Sequence, residues 1–133
     1  MKNRDSGSMA VEALLLVPAL FALTSFIVYV GRITDATLTV RRAADVAARV
    51  ASQSSASSAR NKAIQSAMQE LRVSRSGCGK ASVQIQLVTM KSQTTVVSSV
   101  KCVVNVNGLG LLALAPRSVR AESTEIVDVY TAR

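Results

Sequence analysis

The sequence predicts an α+β chain: a long N-terminal helix, a second shorter helix, then a small antiparallel three-stranded sheet. Three observations carry this expectation. Residues 13–30 form an apolar run without a charge. Residues 33–54 and 63–71 repeat small and apolar side chains at three- and four-residue spacing, and from residue 81 apolar and polar residues alternate. A chain of 133 residues holds one modest domain and an appendage rather than two full domains.

The apolar run comes first. From Ala13 to Val30 only Thr24 and Ser25 interrupt it. As a helix it spans about 27 Å, close to the ~30 Å thickness of a hydrocarbon layer, and Ser8 to Glu12 lengthen it further. Residues 8–31 are therefore expected to cross a membrane. Pro18 removes one backbone hydrogen bond and should kink or locally melt the helix, which neighbouring helices in a bilayer can accommodate. Glu12 is the anomaly, a carboxylate at the threshold of the run.

Two plainer readings of the segment compete. Lys2 and Arg4 supply the basic start of a secretory signal, but the apolar stretch is long for one, no A-x-A site closes it, and the acid is out of place. A simple single-pass anchor fits the length and leaves Glu12 unexplained. Arg32, Arg41, Arg42 and Arg49 follow the run, so local charge alone favours a cytoplasmic C-terminus. Long domains translocate largely regardless of charge, and the cysteines point outward, so the expected orientation is N-terminus in, C-terminal domain out.

Beyond the membrane, Ile33, Ala36, Val40, Ala43, Ala47, Val50 and Ser54 make a narrow seam, and the helix is expected to continue over about 32–53, bent at Gly31 if anywhere. Such small residues either pack on the chain's own sheet or permit close approach of another helix. Arg41–Asp45 and Asp45–Arg49 have the spacing of i,i+4 pairs. The Ser-rich stretch 54–58 reads as a break, with Ser57 or Ser58 capping a second helix over about 58–73. Its stripe is Ala63, Ile64, Ala67, Met68 and Leu71. Gly77 marks the turn into the strands.

Strands are expected over about 81–90, 94–107 and 118–130. Val83, Ile85 and Leu87 share one face of the first. Val96, Val100, Cys102, Val104 and Val106 share one face of the second. The hairpin loop between them is expected at residues 91–94, and the apolar segment 109–118, punctuated by Gly110 and Pro116, should cover the sheet edge or the core. The third strand alternates less clearly.

Cys78 and Cys102 are the two cysteines, both past the membrane segment. In a small exported domain they most simply form one disulfide; in a reducing compartment they would stay free. Two widely spaced thiols with no histidine do not complete a metal site, and no cofactor is expected. The chain has no histidine for a triad, no G-x-S-x-G and no phosphate loop, so no enzyme is read here. Glu122, Glu125 and Asp128 lie along one strand with Glu122 and Asp128 on a common face, and are expected to counter Arg117, Arg120 and Arg133. The formal charge of +8 favours anionic partners. Lys91, Lys101, Arg117 and Arg120 are the candidate anion-binding surface of a DNA- or wall-polymer-binding module. The scarcity of aromatics, with Tyr130 alone beyond the apolar run, argues against stacking on single-stranded nucleic acid.

Gly7-Ser8-Met9-Ala10-Val11-Glu12, a glycine and then a carboxylate five places on before an apolar helix, resembles the type III signal of type IV pilin-like proteins. Together with "GRITDATLTVRRAADVAARVAS" it resembles the TadE-like minor pilins or pseudopilins of the Tad (tight adherence, Flp-type) pilus. The two cysteines and the ending "RAESTEIVDVYTAR" are similar to the actinobacterial branch. The resemblance implies a pilin-like fold, a leader at 1–7, an assembly helix at 8–31 and an extramembrane domain at 32–133. It implies cleavage by a prepilin peptidase between Gly7 and Ser8, and a role for Glu12 as the carboxylate that sets subunit register. The implied partners are a TadE- or TadF-like companion, the Flp major pilin, and an inner-membrane platform with its assembly ATPase. Ser8 departs from the bulky apolar first residue of many type IV pilins.

Overall fold

A computed structural model describes residues 6–74, 77–90, 93–104 and 115–127, with side chains of the first helix from Val11 onward. The expected α+β arrangement is present: α1 (Ser6–Ser52), α2 (Ala56–Val73), β1 (Cys78–Met90), β2 (Gln93–Val104) and β3 (Ser118–Ile126), the strands forming one antiparallel sheet in the order β1-β2-β3.

α1 is one continuous helix of 47 residues. It passes through Pro18 without interruption, so the helix does not melt there; the proline costs it the hydrogen bond to the Leu14 carbonyl. It also passes through Gly31, around which there is open space, so no close contact demands a glycine. Thr24, Thr34 and Thr37 hydroxyls donate to the Leu20, Val30 and Ile33 carbonyls, which satisfies them inside the helix.

The two halves of α1 live in different surroundings. From Val11 to Val30 no residue is buried, and twelve large apolar side chains are exposed. Burial begins at Ala36. From there Ala36, Thr39, Val40, Ala43, Ala44, Ala47, Ala48 and Ala51 are all buried. This face is broader than the expected narrow seam because α1 packs against α2 on one side and against β2 and β3 on the other. Small side chains let all three elements approach at once. The expected Arg41–Asp45 and Asp45–Arg49 pairs do not form: these exposed side chains make no ion pair, in keeping with the few tenths of a kcal/mol such pairs offer against hydration.

Gln53–Ser55 turn the chain back. α2 begins at Ala56, two residues before the expected start, and Ser55 rather than Ser57 or Ser58 takes the cap position. The Ser55 carbonyl accepts from the Ser58 and Ala59 N–H groups, each at 2.9 Å. α2 buries Ala59, Ala63, Ala67 and Leu71, with Ile64 and Met68 half-buried beside them.

β1 starts at Cys78, earlier than expected, with an irregularity between Cys78 and Lys80. Pairing runs out to Met90 opposite Gln93, so Gln93 and Thr94 belong to the strand and only residues 91 and 92 connect the hairpin. Alternation sets the inner face: Ala81, Val83 and Ile85 of β1; Val96, Ser98, Val100, Cys102 and Val104 of β2; Val119, Ala121, Ser123 and Glu125 of β3. Leu87, expected on that face, is 45 % exposed although Val96 opposite it is fully buried: β1 is an edge strand, and α1 packs mainly against β2 and β3. The segment expected to cover the edge, the strand ends at Val106 and residues 128–130, and Arg133 fall outside the described residues, apart from 115–118.

Connectivity fixes which end of the sheet lies toward the bare half of α1. The Arg60 guanidinium donates to the Ile85 carbonyl, placing the start of α2 at mid-β1, and the end of α2 leads into Cys78. From Arg60 to Val73 is about 20 Å of helix, and from Ile85 back to Cys78 is about 23 Å of strand. α1 runs antiparallel to α2 across the short turn, and Ser52 back to Ala36 is about 24 Å. The Cys78–Cys102 end of the sheet is therefore level with Ala36, and the hairpin is at the far end.

Candidate functional site

The first candidate site is the bare half of α1. Ser6–Val30 projects from the domain as a single helix, and the segment is long and apolar enough to cross a membrane. Leaving twelve large apolar side chains in water would cost about 1.5–3 kcal/mol each. That penalty is removed by lipid or by other apolar helices. The peptide joining Gly7 and Ser8 lies in the first turn of α1, where backbone N–H groups have no intrahelical acceptor.

Glu12 sits in the second turn, exposed, and makes no hydrogen bond or ion pair with any described residue. Its carboxylate has no partner among the described residues of the packed domain, which begins at Ala36. The distance is large: 24 residues of helix, about 36 Å.

Residues 7–49 match the family of TadE-like proteins. The match starts at the glycine of the expected cleavage position and covers α1 but for its first residue and its last three, roughly a third of the chain. It associates the chain with Tad pilus components of pilin-like type. The match excludes the cysteines and the C-terminal pattern. No curated protein and no solved structure matches the chain.

The second candidate site is on the sheet, away from the TadE-like helix. Cys78 and Cys102 are joined by a disulfide with Cα atoms 5.6 Å apart, tying the start of β1 to β2 two residues before Val104. Beside it, on the outer face, Ser82, Lys101 and Arg120 form one cross-strand row, and Gln84, Ser99 and Glu122 form the next. Ser82, Gln84, Ser99, Lys101 and Arg120 line a shallow depression. The Arg120 guanidinium donates to Ser99 Oγ at 3.0 Å and forms an ion pair with Glu122. Lys101 makes no hydrogen bond or ion pair with a described residue.

Of the four cations expected to form one surface, Lys101 and Arg120 stand directly opposite each other. Arg117 is exposed just before β3, its carbonyl accepting from the Val104 N–H at 2.7 Å. Lys91 lies outside the described residues, and its strand neighbour Met90 is at the other end of the sheet. Lys80, exposed near the start of β1, was not singled out by sequence; only the register brings it beside this row. Of the three acids, Glu122 faces outward, Glu125 is half-buried on the inner face, and Asp128 lies outside the described residues. No cluster of metal-ligating side chains occurs among the described residues.

Proposed function

We propose that this chain is a non-enzymatic TadE-type minor pilin or pseudopilin that primes or joins a Tad/Flp-type pilus. The observation that carries the reading is the coincidence of the TadE-like match with a bare apolar helix whose one acid, Glu12, has no partner among the described residues. A prepilin peptidase cuts between Gly7 and Ser8 and leaves a new ammonium on Ser8. Glu12 then pairs with the ammonium of a neighbouring subunit, which offsets the cost of placing a charge in the membrane, roughly 2.5–3.5 kcal/mol for one at the centre of the span. The helix spans the cytoplasmic membrane with its N-terminus inside, and the disulfide-bonded domain lies outside. The partners are a TadE- or TadF-like companion, the Flp pilin, the peptidase, and the platform with its ATPase. The cysteine and C-terminal pattern supports an actinobacterial-type member.

The test is the intact mass and N-terminal sequence of the envelope protein, with and without the peptidase. A chain beginning at Ser8 only when the peptidase is present is expected, and Gly7→Val should leave the precursor intact. Glu12→Ala should be cleaved and yet fail to support piliation. A chain uncut under both conditions, or normal pili from the Glu12 variant, would refute the reading.

A further inference from the structure

We propose that the groove between α2 and the free edge of β1 takes an extended segment of another polypeptide as a fourth strand. Arg60 holds an acidic side chain of that segment. Three observations support this.

The first is the edge itself. The Val104 and Val127 N–H groups donate to the Arg117 and Thr94 carbonyls, so the even-numbered residues of β2 bond to β3. Its odd-numbered residues bond to β1, where they meet the even-numbered Ser82, Gln84 and Gln86. The N–H and C=O groups of Val83, Ile85 and Leu87 therefore point away from the sheet. Among the described residues only the Ile85 carbonyl has a partner there, the Arg60 guanidinium at 3.3 Å. Such a row is a template for a further strand.

The second is width. α1 packs beneath β2 and β3, and α2 meets chiefly β1. Packed helix axes lie about 8–10 Å apart, whereas strands lie about 4.8 Å apart. The axis of α2 therefore falls at or just beyond β1, and close to half of the helix lies outside the sheet. Its uncovered flank carries Arg60, Ile64 and Met68 at four-residue spacing. Ile64 and Met68 are only half-buried, as is Val83, and Leu87 is exposed on the same inner face. Arg60, Ile64 and residues 83–86 line the groove. One more strand, about 4.8 Å outside β1, would lie over this flank.

The third is what fits. Residues 105–114 leave β2 and return towards β3 at the Cys78 end, and span at most about 40 Å when fully extended. Reaching Ile85 and returning takes about 46 Å. Residues 128–133 span at most about 22 Å and start on the far side of the sheet, about 14 Å across from the groove. They are too short to lie beside Val83 as well. A second copy's sheet does not fit either. Its β3 carries α1 beneath it and its β1 carries α2. Either helix axis would come within about 6 Å of α2, closer than packed helices allow. A strand with no helix beneath it remains. Arg60 forms no ion pair with a described residue, so its guanidinium is open to a carboxylate. The incoming N–H then takes its place at the Ile85 carbonyl. Alternate strand residues lie about 6.8 Å apart and four-residue helix steps about 6 Å. Running antiparallel to β1, a segment of pattern acid-x-apolar-x-apolar thus sets its acid over Arg60 and its apolar side chains over Ile64 and Met68.

The test adds a blocked heptapeptide, Thr-Glu-Thr-Val-Thr-Val-Thr, to the full-length protein in detergent micelles and follows amide hydrogen exchange by NMR. Bound peptide should slow exchange of the outward Val83 and Ile85 N–H groups on the order of tenfold, the effect of one new hydrogen bond. Gln84 and Gln86, already bonded to β2, and Arg120 and Glu122 on the opposite edge should change far less. N-methylation of the two peptide valines should abolish binding, because it removes the N–H groups that face β1. Glutamine for the peptide's glutamate should weaken binding on the order of tenfold, as should Arg60→Gln, and the two changes together should cost little more. The glutamine peptide should bind both proteins alike, which a misfolded variant would not do. No slowing at millimolar peptide, slowing at Arg120 and Glu122 instead, or binding that survives N-methylation overturns the proposal. So does an Arg60→Gln protein that binds the glutamate peptide as tightly as the parent.

Discussion

Ser98 is the least satisfied residue of the described core. It lies at the centre of the inner face, opposite Ile85 and Ser123, fully buried, and its Oγ has no hydrogen-bond partner. A hydroxyl in that state carries a desolvation penalty of about 1–3 kcal/mol. The neighbouring Val96 and Val100 show that the site takes apolar side chains. Ser98→Ala should therefore raise stability by about 1 kcal/mol in denaturant unfolding of the detergent-solubilised chain. A loss of that size would mean that the hydroxyl finds a partner in solution. Glu12 is the opposite kind of residue: it has no partner among the described residues but is exposed, so it carries no desolvation penalty in water and would acquire one only in a membrane.

At the level of elements, the sheet depends on its disulfide. Cys78 and Cys102 enclose all of β1, the hairpin and most of β2, with a sequence separation of 24. In the chain-entropy model a loop of that length contributes roughly 3–4 kcal/mol. Reduction should lower the unfolding free energy by that amount while α1 stays helical by circular dichroism; an unchanged midpoint would show that the bond constrains nothing. The same elements show how far the sequence could be read. Strand alternation and the apolar stripe of α2 were legible because burial on one side leaves a period-two or 3.6-residue pattern. The hairpin length was not, because Gln93 and Thr94 are as polar as a loop, yet Thr94 pairs with Thr89 across the strands through hydroxyls 3.2 Å apart. The hairpin length fixes which β1 residue meets Lys101, namely Ser82, and a slip of one residue would turn the strand over. The meeting of Lys101 with Arg120 depends instead on the register of β2 with β3, across a connection too long for a tight turn to fix it. The breadth of the α1 face was likewise hidden, since Ala44 and Ala48 read as ordinary helix formers until the sheet and α2 cover them from two sides.

For the whole molecule, the division of α1 sets the behaviour of the chain. Its exposed apolar half shares no buried contact with the domain, while the half from Ala36 onward supplies the middle of the core beneath β2 and β3. One helix thus joins an exposed apolar segment to a packed domain, with open space around Gly31 between them. The domain's stability should then be independent of the membrane segment. A chain beginning at Gly31 should be soluble, monomeric by size exclusion, and disulfide-bonded. Its unfolding midpoint should lie within a few degrees of the full-length protein in detergent, a shift corresponding to less than about 1 kcal/mol for a domain of this size. An unfolded or aggregated product would show that the apolar half props up the core as well as anchoring it. A folded product would place the whole requirement for residues 8–30 on insertion and assembly. Under the proposed function, such a division would suit a subunit whose helix leaves lipid for a bundle of other helices while its packed domain keeps one shape.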